Sequence, residues 1–168
     1  IPTKVGPSIA DHVAGIYLYV GVATALVHRE RTGEGQLVDV SMIDTIFSLL
    51  ENSLVKYTMG GYIPERNGNI DPSIAPFDIF ECKDGFVAIG VGNDRLFDKF
   101  CHTIGHTELL EDPRYETNDL RCQNYQPDLQ NVIADWAKDY TKAEIEKIMD
   151  EAVIPCGPVL NVKEAIEH

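Results

Sequence analysis

No charged residue interrupts the chain from Val13 to Val27, a run of about 15 mostly aliphatic positions that also holds tyrosine, glycine and threonine. Pro7 and Ser8 in front of it and Gly33 behind it predict a helix over 8–31. Ala10, Ala14, Gly21 and Ala25 share one side at helical spacing, small enough for a neighbouring backbone to come close. The run is too short and too mixed to read as a bilayer span, so the helix is expected to be buried on most sides. "QLVDVSM", 36–42, predicts a short strand rich in β-branched residues. A second helix is expected over 43–59, with Ile43, Ile46, Phe47, Leu50 and Leu54 on one face and Gly60-Gly61 at its end. Helix, strand, helix is the tail of an α/β layer structure, whose other strands are expected upstream of Ile1.

The texture changes at "YIPERNGNIDPSIAP", 62–76, which has prolines and no periodicity. It predicts a loop and a domain junction, with one domain over 1–66 and another over 67–168. "DIFECKDGFVAIGV" then reads as a hairpin with an Asp-Gly turn. Asn93 is positioned to cap a helix bearing Leu96, Phe97, Phe100, Cys101 and Ile104, stopped by Gly105. "DPRY" is a turn. Helical periodicity returns over 127–139 (Leu129, Val132, Ile133, Trp136) and 142–153 (Ile145, Ile148, Met149, Ala152). "IPCGPVL" is extended, and Asn161 caps a last helix. The second half is thus a small α+β unit with its own core. Ile1 in place of methionine and the helical ending "NVKEAIEH" read as a piece of a longer chain.

Composition narrows the partners. With 44% hydrophobic and 24% charged residues over 168 positions, the chain is globular, and its net charge of −13 argues against nucleic acid or an anionic membrane. A small anionic ligand remains compatible with a local basic pocket. The four cysteines, Cys82, Cys101, Cys122 and Cys156, lack paired-ligand spacing, so no metal is expected from Cys101, His102 and His106, and the thiols suit a reducing cytoplasm. "GVGND" is only a partial dinucleotide loop, and no P-loop, nucleophile elbow or HExxH occurs. Arg29 and Arg31 suit the cationic C-terminus of a helix.

Asp11, in the first turn of the first helix, admits two readings. Ser8-x-x-Asp11 matches a capping box, as do Ser41-x-x-Asp44, Thr141-x-x-Glu144 and Asn161-x-x-Glu164, and from spacing capping or complementing the helix dipole is the default. Alternatively, the positive helix end keeps the carboxylate ionised as an oxygen nucleophile, with Ala10, Ala14 and Gly15 leaving room for substrate. Adjacent helical residues do not face each other, so His12 is read as a surface or supporting residue rather than a partner base.

The blocks "GPSIADHVAG", "ALVHRERTGEGQLVDVSMID", "NGNIDPSIAPFDIFECKDGFVAIGVGND", "DPRYETNDLRCQN" and "IPCGPVLNV" resemble, in order and almost end to end, the family III CoA-transferases. That group includes formyl-CoA transferase, carnitine CoA-transferase and the bile-acid-inducible F proteins. The resemblance implies an α/β fold: the last helix–strand–helix of a Rossmann-like, CoA-binding large domain, followed by a small α+β domain. It implies that Asp11 stands where the family's nucleophilic aspartate stands, and that "RNGNIDPS" occupies the region of the glycine-rich loop closing over the active site. That loop has no literal copy here; Gly68 and Asn69 are its nearest equivalents and the expected substrate-binding residues. Also implied are acyl-CoA and carboxylic acid as substrates, coenzyme A without a metal, a cytoplasmic location and a homodimer of interlocked chains. Most CoA contacts would come from an upstream segment, so the 168 residues by themselves are expected to be inactive. The alternatives are α-methylacyl-CoA racemase chemistry, in which Asp11 shares proton transfer with an upstream histidine, and a non-catalytic dimer-packing module.

Overall fold

The computed structural model describes residues 3–168. The chain divides into two compact units, Ile1–Glu65 and Arg66–His168.

The first unit is built on α1, Ile9–Thr32, which ends where Gly33 adopts the left-handed φ of 79° that a side chain would resist. Its small-residue side is its covered side: Ala10, Ala14, Gly21 and Ala25 are half-buried. A Cβ on Gly21 would lie 2.7 Å from Cγ1 of Val38, a stiff β-branched side chain, so this glycine admits the chain segment that crosses the helix. The expectation that α1 is buried on most sides is corrected: none of its residues is buried, and Ile16, Tyr19, Val20 and Val27 are exposed. At 24 residues α1 is also long and apolar enough, by length and composition, to cross a membrane, which corrects the exclusion drawn from the 13–27 run. The same properties describe a helix covered by protein on all sides.

Two further expectations fail in this unit. Residues 36–42 form no strand; Val38 and Val40 are half-covered while Leu37 and Asp39 are exposed, so the alternation survives without a ladder. A strand exists only where a neighbour takes its backbone groups, and none of the described residues does so here. The single helix over 43–59 is two short ones, α2 (Met42–Ser48) and α3 (Asn52–Gly60), separated at Glu51, whose φ of 43° no helix accommodates. The apolar face expected there is open: Ile43, Phe47 and Leu50 are exposed, and the buried residue is Thr45. The Tyr17 hydroxyl lies 3.1 Å from Ser48 Oγ and links α1 to α2.

The second unit follows its sequence pattern closely. Strands β1 (Phe77–Cys82) and β2 (Gly85–Gly90) form a hairpin around Lys83 and Asp84, with Gly85 already paired to Cys82. β3 (Cys156–Pro158) completes an antiparallel sheet in the order β1-β2-β3. Alternate residues Phe80, Cys82, Val87 and Ile89 turn inward, as a half-buried sheet requires. Against them pack α4 (Asp94–Ile104), α6 (Gln130–Ala137) and α7 (Lys142–Glu151), through Phe97, Phe100, Cys101, Ile133, Ile145 and Met149. Asn93 caps α4 by accepting from Leu96 N–H at 2.9 Å, and Gly105 ends it at φ 78°. The helix expected from 127 begins at Gln130, because Tyr125–Leu129 form a wider turn in which Gln126 is not helical. α5 (Asn118–Gln123) was not foreseen, and α8 (Val162–Glu167) closes the chain.

Candidate active site

Asp11 is the third residue of α1, in its first turn. The four capping-box matches come apart here. Thr141 with Glu144 and Asn161 with Glu164 close both reciprocal bonds. Ser41 accepts from the Asp44 N–H at 3.4 Å. Ser8 makes no side-chain cap bond at all. Capping is thereby removed from the default reading of Asp11, while its first-turn position still suits the helix dipole: its carboxylate is exposed, with no hydrogen bond or ion pair to any described residue. Gly15, one turn on and on the same face, leaves that side clear, since a Cβ there would meet nothing within 4 Å.

His12 does not serve Asp11. Its Nδ1 lies 2.8 Å from the Ser8 carbonyl, which can only accept, so Nδ1 carries the proton and the ring ties down the helix start. The arrangement leaves an unshared carboxylate beside the orphan N–H groups of a long helix, a setting that can steady an adjacent oxyanion. Rival nucleophiles are poor. Burial pushes the Cys101 thiol up to about 12 and the Cys156 thiol up to about 11, so both stay protonated at neutral pH. No group of three His, Cys, Asp or Glu that could hold a metal occurs among the described residues.

Gly68 and Asn69 belong to the second unit, whereas Asp11 belongs to the first, so each has its own local setting. Gly68 has φ 70° and, with Asn69, forms an exposed turn that the Asn67 side-chain amide closes by donating to the Ile70 carbonyl. Two polar groupings beside this loop escaped the sequence reading. Arg121, on α5, is fully buried and bonded to Asp94. The Asp78 carboxylate is buried too, and accepts from the Tyr125 hydroxyl at 3.2 Å and the Gln130 amide at 2.7 Å. Burial and then the neighbouring Asp78 carboxylate push the Tyr125 phenol well above its usual range. No spacing rule announces either grouping; the only signal was polar residues in segments the core has to cover.

The family model described as CoA-transferase family III matches residues 1–168, the whole chain. The chain belongs to CoA-transferase family III. Among curated relatives, it is 36% identical over 166 residues to the succinyl-CoA--D-citramalate CoA-transferase of Chloroflexus aurantiacus, covering 98% of this chain and 41% of that protein. It is 38% identical over 177 residues to the acetyl-CoA:oxalate CoA-transferase of Acetobacter aceti, covering 98% of this chain and 42% of that one. The chain thus spans about two fifths of the length of the relatives it matches. A CAIB/BAIF family protein from Brucella suis superposes with a TM-score of 0.75 at 31% identity, over 99% of this chain and 44% of that one. A Mycobacterium tuberculosis protein shares the fold at a TM-score of 0.85 and 24% identity, over 100% of this chain and 43% of its own. These neighbours bear out the α/β reading of a family III CoA-transferase chain.

Proposed function

We propose that the full-length polypeptide containing this family III stretch moves coenzyme A from an acyl-CoA donor to a carboxylic acid acceptor, with Asp11 as the nucleophile. The observation that carries this reading is the state of Asp11: exposed, uncapped and in the first turn of a long helix. The relatives' names, all transfers of CoA between acids, support the reaction class.

In this mechanism the Asp11 carboxylate attacks the thioester carbonyl and expels CoA thiolate, leaving a mixed aspartyl anhydride. The thiolate then attacks the aspartyl carbonyl and the donor acid departs as its carboxylate, leaving an aspartyl-CoA thioester. An acceptor carboxylate attacks that thioester and releases thiolate. The thiolate takes the acceptor's acyl group from the new anhydride and frees Asp11. Two modest exchanges replace one hard transfer, and the thioester's activation is passed on, so neither ATP nor a metal is consumed.

Gly68 and Asn69 fit the substrate-facing loop on this reading. The chain corresponds to the end of a CoA-binding domain over 1–66 and a small domain over 67–168. The rest of the polypeptide, rather than lipid, covers α1, and the whole works as a cytoplasmic homodimer of interlocked chains. The 168-residue stretch alone is inactive, because most CoA contacts lie elsewhere.

The test is Asp11→Ala in the full-length protein, which abolishes acyl-CoA-dependent transfer while fold and dimer persist. Mass spectrometry of the unmodified protein with acyl-CoA finds a CoA adduct on the Asp11 peptide. Unchanged turnover in the variant rejects the assignment. Deuterium entering the substrate α-carbon from heavy water, with no acceptor acid present, points to racemase chemistry instead.

A further inference from the structure

Arg121 is a charged side chain with no exposed surface, and the proposed transfer makes no use of it. Its donors run to three separate stretches of the second unit. Nε donates to the Ala75 carbonyl at 2.9 Å, one terminal nitrogen to the Tyr115 carbonyl at 3.0 Å and the other to the Asp94 carboxylate at 2.7 Å. The guanidinium carbon also lies 4.3 Å from the centre of the Phe97 ring, one turn along α4 from Asp94. Ala75 stands two residues before β1 and Asp94 four residues after β2, and between them the Pro76 carbonyl accepts from the Val91 N–H at 2.8 Å. Both ends of the hairpin therefore meet at one guanidinium carried by α5, and every group involved lies within Arg66–His168.

Apolar packing holds the chain here: Ala75, Val91, Phe97 and Tyr115 all belong to the core. What packing does not supply is a counter-charge. A guanidinium taken out of water needs its donors matched and its charge compensated. The matching is complete, since no buried side-chain nitrogen or oxygen among the described residues lacks a partner. The compensation comes from Asp94, the one ion pair that Arg121 makes among the described residues.

The two halves of that pair are unlike: the Arg121 side chain is 0% exposed and the Asp94 side chain 64%. A carboxylate so exposed ordinarily contributes little to stability. Asp98, one turn further along α4, is such a case; it is 65% exposed, and its ion pair is with the similarly exposed His102 at 3.7 Å. By exposure the two aspartates are equivalent, and only the partner tells them apart.

We infer that Asp94 and Arg121 form a charge-operated lock, in which a carboxylate standing in solvent neutralises a guanidinium in the core and so ties both ends of the hairpin to α5. Loss of the Asp94 charge leaves the guanidinium unpaired; it then draws in water or swings out, and its bonds to Ala75 and Tyr115 loosen with it. The lock belongs to the second unit by itself and does not depend on the reaction assigned to Asp11. A rival account is the dipole of α4, because Asp94 is also in its first turn, where any carboxylate is favoured. A double-mutant cycle separates the two.

The test reads amide exchange in the full-length protein. Asp94→Asn, near-isosteric and uncharged, should speed exchange over 91–97 and over α5 by about tenfold to a hundredfold. Asp98→Asn should speed it by about threefold at most. With Arg121→Met already in place no buried charge remains, and Asp94→Asn should then add about fivefold at most, the share of the helix dipole. An effect of Asp94→Asn no larger than that of Asp98→Asn overturns the lock, and so does an equal effect with and without Arg121. Should Arg121→Met not fold, the two surface aspartates still decide the matter, together with Asp94→Glu, which keeps the charge. Exchange in Asp94→Glu slower than in Asp94→Asn supports the lock, and exchange as fast overturns it.

Discussion

In Arg66–His168 the side chains of Val87, Phe100, Leu129, Ile133, Ile145 and Met149 have no exposed surface, whereas in Ile1–Glu65 the deepest described side chain is that of a threonine, Thr45. Both stretches are rich in apolar residues, so composition does not separate them. Topology does. The second unit folds its strands and helices back over one another, and each element covers the next. The first is a long helix with short partners on one side, and it leaves Ile16, Leu18, Tyr19 and Val20 facing outward. Burying a side chain of that kind contributes about 1.5–3 kcal/mol, a gain the first unit does not collect within this chain. The contrast teaches that one unit closes a core around itself while the other leaves its apolar face open.

The sharpest way to break this comparison is to separate the units. Residues 66–168 expressed alone should unfold cooperatively in urea, while residues 1–65 alone should show no transition and should aggregate. A cooperative transition from the shorter piece would refute the contrast. Next in size is a pair of matched truncations in the 168-residue chain. Phe100→Ala, in the closed core, should cost about 3–5 kcal/mol. Phe47→Ala, 56% exposed, should stay within about 0.5 kcal/mol, both read from urea midpoints.

The smallest effect concerns the caps. Thr141→Ala should cost about 1 kcal/mol, since Thr141 holds a closed capping box; Ser8→Ala, which removes no cap bond, should cost far less. Glu144 and Glu164 extend this test to pH. The backbone N–H of Thr141, with its hydroxyl, holds the Glu144 carboxyl below its usual range, and the Lys142 ammonium does the same for Glu164. A lowered folded pKa means the stabilisation is fully present above the ordinary value of 4.5 and is lost as pH falls through the folded value. Acid titration of stability should therefore narrow the gap between Thr141→Ala and the parent chain, and leave Ser8→Ala level with the parent throughout.

How far the site was legible follows the same division. Asn93, Gly105, Thr141 and Asn161 act within a few residues of themselves, and their roles could be read from spacing. Ser8-x-x-Asp11 has that same spacing without the bonds, so local pattern alone misstated how Asp11 is held. Resemblance to the family, not spacing, brought Asp11 forward. The bonds of Asn118 and Arg121 were not legible at all. They reach backbone groups more than forty positions away, at Ser73 and Ala75, and side chain-to-backbone bonds of that reach leave no periodic trace. The strand expected at 36–42 failed for a related reason: β-branched residues favour extension, but only a neighbouring strand makes a ladder.

The amino acids by themselves settled what depends on near neighbours: helix limits at Gly33 and Gly105, the hairpin over 77–90, the inward face of α4, and membership of a transferase family. Tertiary structure decided which apolar faces find cover, whether a carboxylate three residues past a serine is engaged or open, and which groups meet the buried guanidinium of Arg121. Those outcomes turn on partners distant along the chain, and a hydrogen bond or a buried face exists only once folding has brought its other half within reach.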